Sequence, residues 1–322
     1  MFKKALIVAG LSLGFVSASQ AQDLVLYTSQ PVGDAQMTVE AFEKANPGVK
    51  VEWVRDGTTK LMTRFRAELA AGMVKPDLLL IADSVTLEQL RKEDLLAAYD
   101  SPEKTHYDPS LYDADGYYYG TKLITTGIAY HSEAAHKPTS WADLLKTEYK
   151  GLAAMPSPLY SGAALIHLST LTTNDDFAWT YYEALKANGM APQQGNGSVL
   201  TAIASGAKPY GVLVDYLAIR EKAKGSPVEF VFPTEGVSMV TEPVAILKDA
   251  KNKELAQKFV DFVLSANGQQ LVVDQGYLAA RNDMTSPKGF PSREQIKLLP
   301  FDAAKALENA ETDKVKFAEI FD

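Results

Sequence analysis

The sequence predicts an α/β protein of two lobes, each an open, mostly parallel sheet flanked by helices, with two crossing segments as the hinge. Three observations carry this. Strand-like and helix-like segments alternate over the first hundred residues, the grammar of a parallel, doubly wound sheet. The same alternation restarts near residue 152. Between the two series run two long extended stretches, 120–130 and 228–247. The expected division places 22–124 and 238–322 in lobe 1, 125–237 in lobe 2, and 1–21 in a removable leader.

The elements follow in order. Residues 24–27 form a short apolar strand before Thr28-Ser29-Gln30-Pro31. Val39, Phe42 and Ala45 share one helix face, and Asn46-Pro47-Gly48 ends that helix. Residues 49–54 alternate apolar and polar, as a strand with one covered face does. Asp56-Gly57-Thr58-Thr59 turns the chain into a helix over 60–71. The unbroken run 78–81 predicts a parallel strand buried on both faces, with a further helix after it. In the second series, a strand at 152–155 and a loop through 156–162 lead to a helix over 163–171. Gly195-Asn196-Gly197-Ser198 opens a helix over 199–204, and 210–214 is an apolar strand ending in Asp215-Tyr216. From Lys253 onward the pattern is mostly helical.

Residues 1–21 obey other rules. Lys3 and Lys4 precede a dozen apolar residues, and Ser19-Gln20-Ala21 supplies small residues for cleavage. This predicts a secretory signal peptide cut after Ala21, no lipid anchor because no Cys follows, and a periplasmic address. No later apolar run is long enough to span a bilayer, so no membrane insertion of the mature chain is expected. A 322-residue chain with 46% hydrophobic and 22% charged residues is neither disordered nor fibrous. A net charge of −8 without a basic block excludes nucleic acid as the expected partner. The absence of cysteine removes disulfides, thiolate metal sites and cysteine nucleophiles.

Candidate chemistry lies in a repeated feature. Small, hydroxyl-rich loops follow strands and open helices at Thr28-Ser29-Gln30, Gly57-Thr58-Thr59, Asp83-Ser84, Ser161-Gly162-Ala163 and Gly197-Ser198. A helix start carries free N–H groups and the positive end of the dipole and holds anions without a cationic side chain. Taken singly, such loops merely cap their helices. Five at the carboxyl edges of strands mark where ligands sit in open α/β sheets. Ser29, Gln30, Thr58, Thr59, Asp83, Ser161, Gly162, Ala163 and Ser198 are therefore expected to bind a ligand. Asp215 and Tyr216, at a strand end, and Glu242, beside a crossing, are expected to take an ammonium group or a metal, or else to cap and pack. One of Tyr117, Tyr118 and Tyr119 is expected to line the cleft.

Enzyme signatures are missing: the sequence has no GxSxG elbow, P-loop or HExxH, and the spacing of His131 and His136 predicts a solvated coincidence. Binding without catalysis is the expected role, with no cofactor. A secreted hydrolase of phosphate esters would need a nucleophile beside a base, and no serine here has a nearby His in a recognisable motif.

Several segments carry a resemblance: Leu26-Tyr27-Thr28-Ser29, Asn46-Pro47-Gly48-Val49-Lys50-Val51, Pro76-Asp77-Leu78-Leu79, Ser140-Trp141-Ala142-Asp143-Leu144-Leu145, Tyr149-Lys150-Gly151, and residues 256–262 with Ser265-Ala266-Asn267-Gly268-Gln269. Together they resemble type II periplasmic substrate-binding proteins of ABC importers, in the branch that binds ferric iron, sugar phosphates and 2-aminoethylphosphonate. The resemblance implies a two-lobed clam-shell that closes on one ligand and docks on an inner-membrane permease with its ATPase, working as a monomer. Ferric binders of this branch carry adjacent tyrosines where this chain has Asp215-Tyr216, and often a His where it has Ser29-Gln30-Pro31. The resemblance thus implies a small anionic organophosphorus ligand, with 2-aminoethylphosphonate first and its amine held by Asp215 and Glu242. The alternative is ferric iron held by Tyr216, Asp215 and Glu242.

Overall fold

Alternating strands and helices build the first lobe of the computed structural model, which describes residues 22–321; the expected leader lies outside the described residues. Strand β1 (Gln22–Thr28), helix α1 (Val32–Ala45), β2 (Val49–Arg55), α2 (Thr58–Ala70), β3 (Leu78–Leu80) and α3 (Ser84–Lys92) follow in order. β1 pairs in parallel with β2 on one side and β3 on the other. Leu24, Leu26, Leu78 and Leu80 pack with Val39 and Phe42 of α1 on one face. Tyr27 and Leu79 pack with Leu61, Met62 and Phe65 of α2 on the other. Burial on both faces is why this run is continuously apolar. β4 (Leu96–Ala97) and β5 (Tyr118–Gly120) are short, and Tyr117, Tyr118 and Tyr119 are packed in this lobe, none of them lining the cleft.

The chain then passes into a second sheet through β6 (Lys122–His131), followed by β7 (Ala153–Pro156), α4 (Gly162–Thr172), α5 (Ala178–Ala187), β8 (Ala191–Gln193), α6 (Asn196–Ala204), β9 (Tyr210–Val214), α7 (Asp215–Ala223) and β10 (Val228–Val231). β6 runs antiparallel to β9 and β10, and β7 lies parallel between β9 and β8. Helix α5 and strand β8 had no clear periodicity to announce them.

The expected single crossing over 228–247 is three strands shared between two sheets. β10 and β11 (Ser238–Val240) pair with β6, whereas β12 (Pro243–Leu247) pairs with β3, β4 and β5 in the first sheet. Pro233 and Gly236, the latter with φ +120°, break the run between β10 and β11. The two crossings lie side by side: the N–H groups of Thr121 and Lys122 both donate to the Thr241 carbonyl, at 3.0 and 3.2 Å.

The C-terminal part is helical over α8 (Lys253–Leu264), α9 (Ala266–Asp274) and α10 (Ala303–Phe321), with β13 (Leu278–Ala279) pairing with β6. Between β13 and α10 the helical expectation fails, since Pro287, Gly289, Pro291 and Pro300 interrupt the chain. Helix α10, expected with lobe 1, packs on α4 and α5 of the second lobe as well as on α3 of the first.

Candidate functional site

The carboxyl edges of the two sheets face one another across a cleft of about 350 Å³. Lobe 1 contributes Ser29 and Pro31 after β1, Arg55 at the end of β2, Gly57 and Thr58 at the start of α2, and Ala82 after β3. Lobe 2 contributes Tyr160 to Ala163 at the start of α4, Gln194 to Ser198 at the start of α6, and Val214, Tyr216 and Leu217 where β9 becomes α7. Ile124 and Glu242 enter from the crossings.

Five helix starts therefore open onto one cavity, and at four of them the preceding residue supplies no side-chain cap: Pro31 before α1, Gly57 before α2, Gly195 before α6 and Val214 before α7, although in α7 the Asp215 carboxylate takes the Tyr216 N–H. The α3 start, which reaches the cleft only through Ala82, is capped twice over by Asp83, which accepts from the N–H groups of Val85 and Thr86. Leaving first-turn N–H groups free beside a cavity is costly unless water or a ligand takes them, and the dipoles favour an anion there. Ser161 caps α4 by accepting from the Ala164 N–H at 3.3 Å, and it also accepts from Asn196 Nδ2 at 3.3 Å.

Among the described residues, Arg55 is the one basic residue lining the cleft. Its Nε donates to the Gln30 carbonyl at 2.9 Å and its Nη1 to the Tyr160 hydroxyl of the opposite lobe at 3.3 Å. The Thr59 N–H reaches the Tyr160 carbonyl at 3.2 Å, and its hydroxyl the Pro158 carbonyl at 3.1 Å. These contacts are made between the two lobes.

Glu242 is the one carboxylate of the lining among the described residues, and its backbone sits in the left-handed region at φ +39°. That strain persists only where the surroundings impose it: Thr121 Oγ1 donates to its carbonyl at 2.7 Å. The Lys122 ammonium stands 2.7 Å from Glu242 Oε2, with both side chains buried. This is an ion pair off the hydrogen-bonding direction, since Lys122 Nζ has no well-aligned partner; the ammonium also lies 4.1 Å from the Tyr277 ring centre. The Tyr216 and Tyr277 ring centres lie 4.1 Å apart, with the rings tilted by 39°. Burial, then the Glu242 charge, pushes the Tyr216 phenol well above its ordinary range, so it is a neutral hydroxyl at physiological pH.

Residues 74–307 match the family described as bacterial extracellular solute-binding protein. The chain belongs to that family. The fold is that of type II periplasmic binding proteins, as the sequence resemblance implied. The chain is 23% identical, with a TM-score of 0.85, to the periplasmic binding protein AfuA of Actinobacillus pleuropneumoniae, solved with fructose-6-phosphate; the match covers 93% of this chain and 98% of that one. Iron-bound HitA of Pseudomonas aeruginosa is similar at TM-score 0.79 and 22% identity, over 92% and 99% of the two chains. Among curated proteins, the putrescine/cadaverine-binding protein of Pseudomonas aeruginosa is 24% identical over 85% of this chain and 84% of its own length. As a member of this family, the chain is the solute-binding component of an importer.

Of the residues expected to bind in this solute-binding protein, Ser29, Thr58, Ser161, Gly162, Ala163, Ser198, Tyr216 and Glu242 line the cleft. Four do not. Gln30 is buried behind it, with Nε2 3.5 Å from Glu242 Oε2. Thr59 is spent on the Pro158 carbonyl, and Asp83 on capping α3. Asp215 is wholly buried and accepts from the Thr125 N–H at 3.0 Å, the Thr125 hydroxyl at 2.7 Å and the Tyr216 N–H at 2.6 Å. It anchors β6 and has no free oxygen for an amine, and burial raises its carboxyl to about 6. Nor does it join Tyr216 and Glu242 as a third iron ligand. Among the described residues no group of three His, Asp or Glu stands ready for a metal.

Arg55, Tyr160 and Asn196 were missed. A charge closing the alternating strand 49–54 just before Gly57-Thr58 was the available signal for Arg55. Tyr160, in a loop, and Asn196, at the start of α6, carry no distinguishing local signal. A Ser–His pair does exist: His167 Nδ1 is 2.9 Å from Ser238 Oγ. It is buried against Trp141, away from the cleft, and burial lowers the imidazole to about 3. This pair is therefore out of reach of a solute in the cleft.

Proposed function

We propose that this protein captures a small organophosphorus anion, a phosphonate or phosphate monoester such as 2-aminoethylphosphonate, between its lobes and delivers it to a membrane permease. On this reading it works in the periplasm as a monomer, after losing residues 1–21. The lobes, 22–124 with 238–322 against 125–237, hinge at the paired crossings.

The observation that carries the reading is the convergence of uncapped helix starts with Arg55 on one cavity. A helix terminus contributes about 0.3–2 kcal/mol to a bound anion, and a guanidinium hydrogen bond to an ionised group about 1.5–3 kcal/mol. Four such groups at the upper ends of these ranges reach the roughly 8 kcal/mol of micromolar binding; one does not. The fructose-6-phosphate bound to AfuA, a protein of the same fold, is a ligand of this class. A diamine, the ligand named for the Pseudomonas relative, asks for free carboxylates, and the one in this lining is tied to Lys122. Ferric iron asks for several anionic oxygens, whereas Asp215 is turned away from the cleft and spent on Thr125.

Isothermal titration against 2-aminoethylphosphonate, ethylphosphonate, fructose 6-phosphate, putrescine and ferric citrate tests the reading. Stoichiometric binding of at least one phosphoryl compound without turnover is expected. Binding of putrescine or iron with no affinity for any phosphoryl compound overturns it.

A further inference from the structure

The cleft's one carboxylate and the buried ammonium behind it bear on which solutes are admitted. Glu242 faces the cavity, while Lys122 does not line it and is about 1% exposed. Lys122 is nevertheless 2.7 Å from Glu242 Oε2, and the Tyr277 face holds its ammonium from the other side. Gln30 Nε2 closes on the same oxygen at 3.5 Å. Lys122 lies outside the cavity lining, yet its charge acts on the cleft through Glu242, because two opposite charges this close in a low-dielectric site are strongly coupled.

We propose that Lys122 is a specificity-determining residue that cancels the Glu242 carboxylate, so that the cleft selects a solute by its anionic end and gives no preference to an amine at the other end. The inference rests on the anion-binding reading above. It assigns to a residue outside the cavity the choice between amine-bearing and amine-free solutes. Without Lys122, Glu242 would be a carboxylate held toward the cavity by strained backbone, and an ammonium group would be its natural partner. Leaving either partner buried and unpaired is unfavourable, which gives a bound amine its leverage in that variant.

The test is the ratio of affinities for 2-aminoethylphosphonate and ethylphosphonate, measured by titration calorimetry at neutral pH. The shared phosphonate cancels effects at the anionic end. Wild-type protein should bind the two within threefold of one another. Lys122→Met should shift the ratio at least tenfold toward the amine-bearing compound, and Lys122→Met/Glu242→Gln should return it to near one. A folded Lys122→Met with the wild-type ratio overturns the inference. If Lys122→Met gives no cooperative melt, Glu242→Gln is read instead. There the uncovered Lys122 should tighten ethylphosphonate and turn the ratio at least threefold against the amine, and an unchanged ratio overturns the inference. Phosphonate binding with a ratio fixed across these variants removes this inference alone. Wild-type protein that binds fructose 6-phosphate but neither phosphonate removes this inference alone, and protein that binds no phosphoryl compound removes the anion reading with it.

Discussion

Arg220 on α7 donates through Nη1 to both carboxylate oxygens of Asp34 on α1, at 2.9 and 3.0 Å, and so ties the second lobe to the first. The same nitrogen donates to the Gln275 carbonyl at 2.8 Å, and the Tyr277 hydroxyl donates to Asp34. The guanidinium also lies 4.6 Å from the centre of the Tyr216 ring, which lines the cleft. Solute contact and lobe contact thus share a side chain. Asp34→Asn should weaken the closed form by about 1 kcal/mol, since the pair is partly exposed and screened. That amounts to a several-fold loss of affinity. Small-angle scattering without solute should show a larger radius than wild type. An unchanged radius and affinity would mean that the pair does not hold the lobes.

Closure also depends on two glycines at the mouth. A Cβ at Gly57 would lie 2.5 Å from the Tyr160 carbonyl oxygen, and one at Gly162 would lie 2.6 Å from the Ala82 oxygen and 2.8 Å from Thr58 Cβ. Both clashes are between lobes, and neither glycine has a positive φ. Gly57→Ala and Gly162→Ala should therefore fold with near wild-type melting temperatures, yet fail to contract on adding solute and lose at least tenfold in affinity. A normally contracting Gly162→Ala would show that the lobes need not approach this closely.

Arg55 should dominate the anionic end. Arg55→Gln removes a charge-assisted partner worth about 1.5–3 kcal/mol, so every phosphoryl solute should bind roughly tenfold or more weakly. Because Arg55 also holds the Gln30 carbonyl, Arg55→Lys should recover part of the affinity but not all, a point charge being a poorer match to a phosphoryl group than the fork. Equal affinities in wild type and Arg55→Gln would move the anion away from the β2 edge.

Two buried groups set opposed pH dependences. Asp215 is raised to about 6 by burial and His167 lowered to about 3 by burial. The folded state holds the Asp215 proton more tightly than the unfolded state, so this group lowers stability as pH rises from about 4 to about 6, by roughly 3 kcal/mol in all. The unfolded state takes up the His167 proton near pH 6.5 and the folded state does not, so that group lowers stability as pH falls below about 6.5. Between pH 4 and 6 the two slopes oppose one another. His167→Gln should gain about 2 kcal/mol relative to wild type on going from pH 6.5 to 4.5 in urea titrations; parallel curves would contradict the assignment. Asp215→Asn should cost about 1–3 kcal/mol of stability through its lost acceptors, while leaving the preference between the two phosphonates unmoved.

The sequence alone determined the order of strands and helices in the first hundred residues, the hydroxyl-rich helix starts and the paired crossings. These are local matters: periodicity decides which face of 39–45 or 49–54 is buried, and Gly57, Ser161 and Gly197 announce where helices begin. Tertiary structure decided what a polar residue at such a place does. Asp215 and Glu242 look alike in the sequence, each a carboxylate beside an apolar run. One is consumed by Thr125 and the Tyr216 N–H, and the other faces the cleft with Lys122 against it. Arg55 ends a strand, Tyr160 lies in a loop and Asn196 opens a helix, and they acquire a role only when the lobes bring them together. Pairings such as Arg220 with Asp34, 186 residues apart in the chain, are set by how two sheets pack across a hinge, and side-chain spacing along one segment does not encode them.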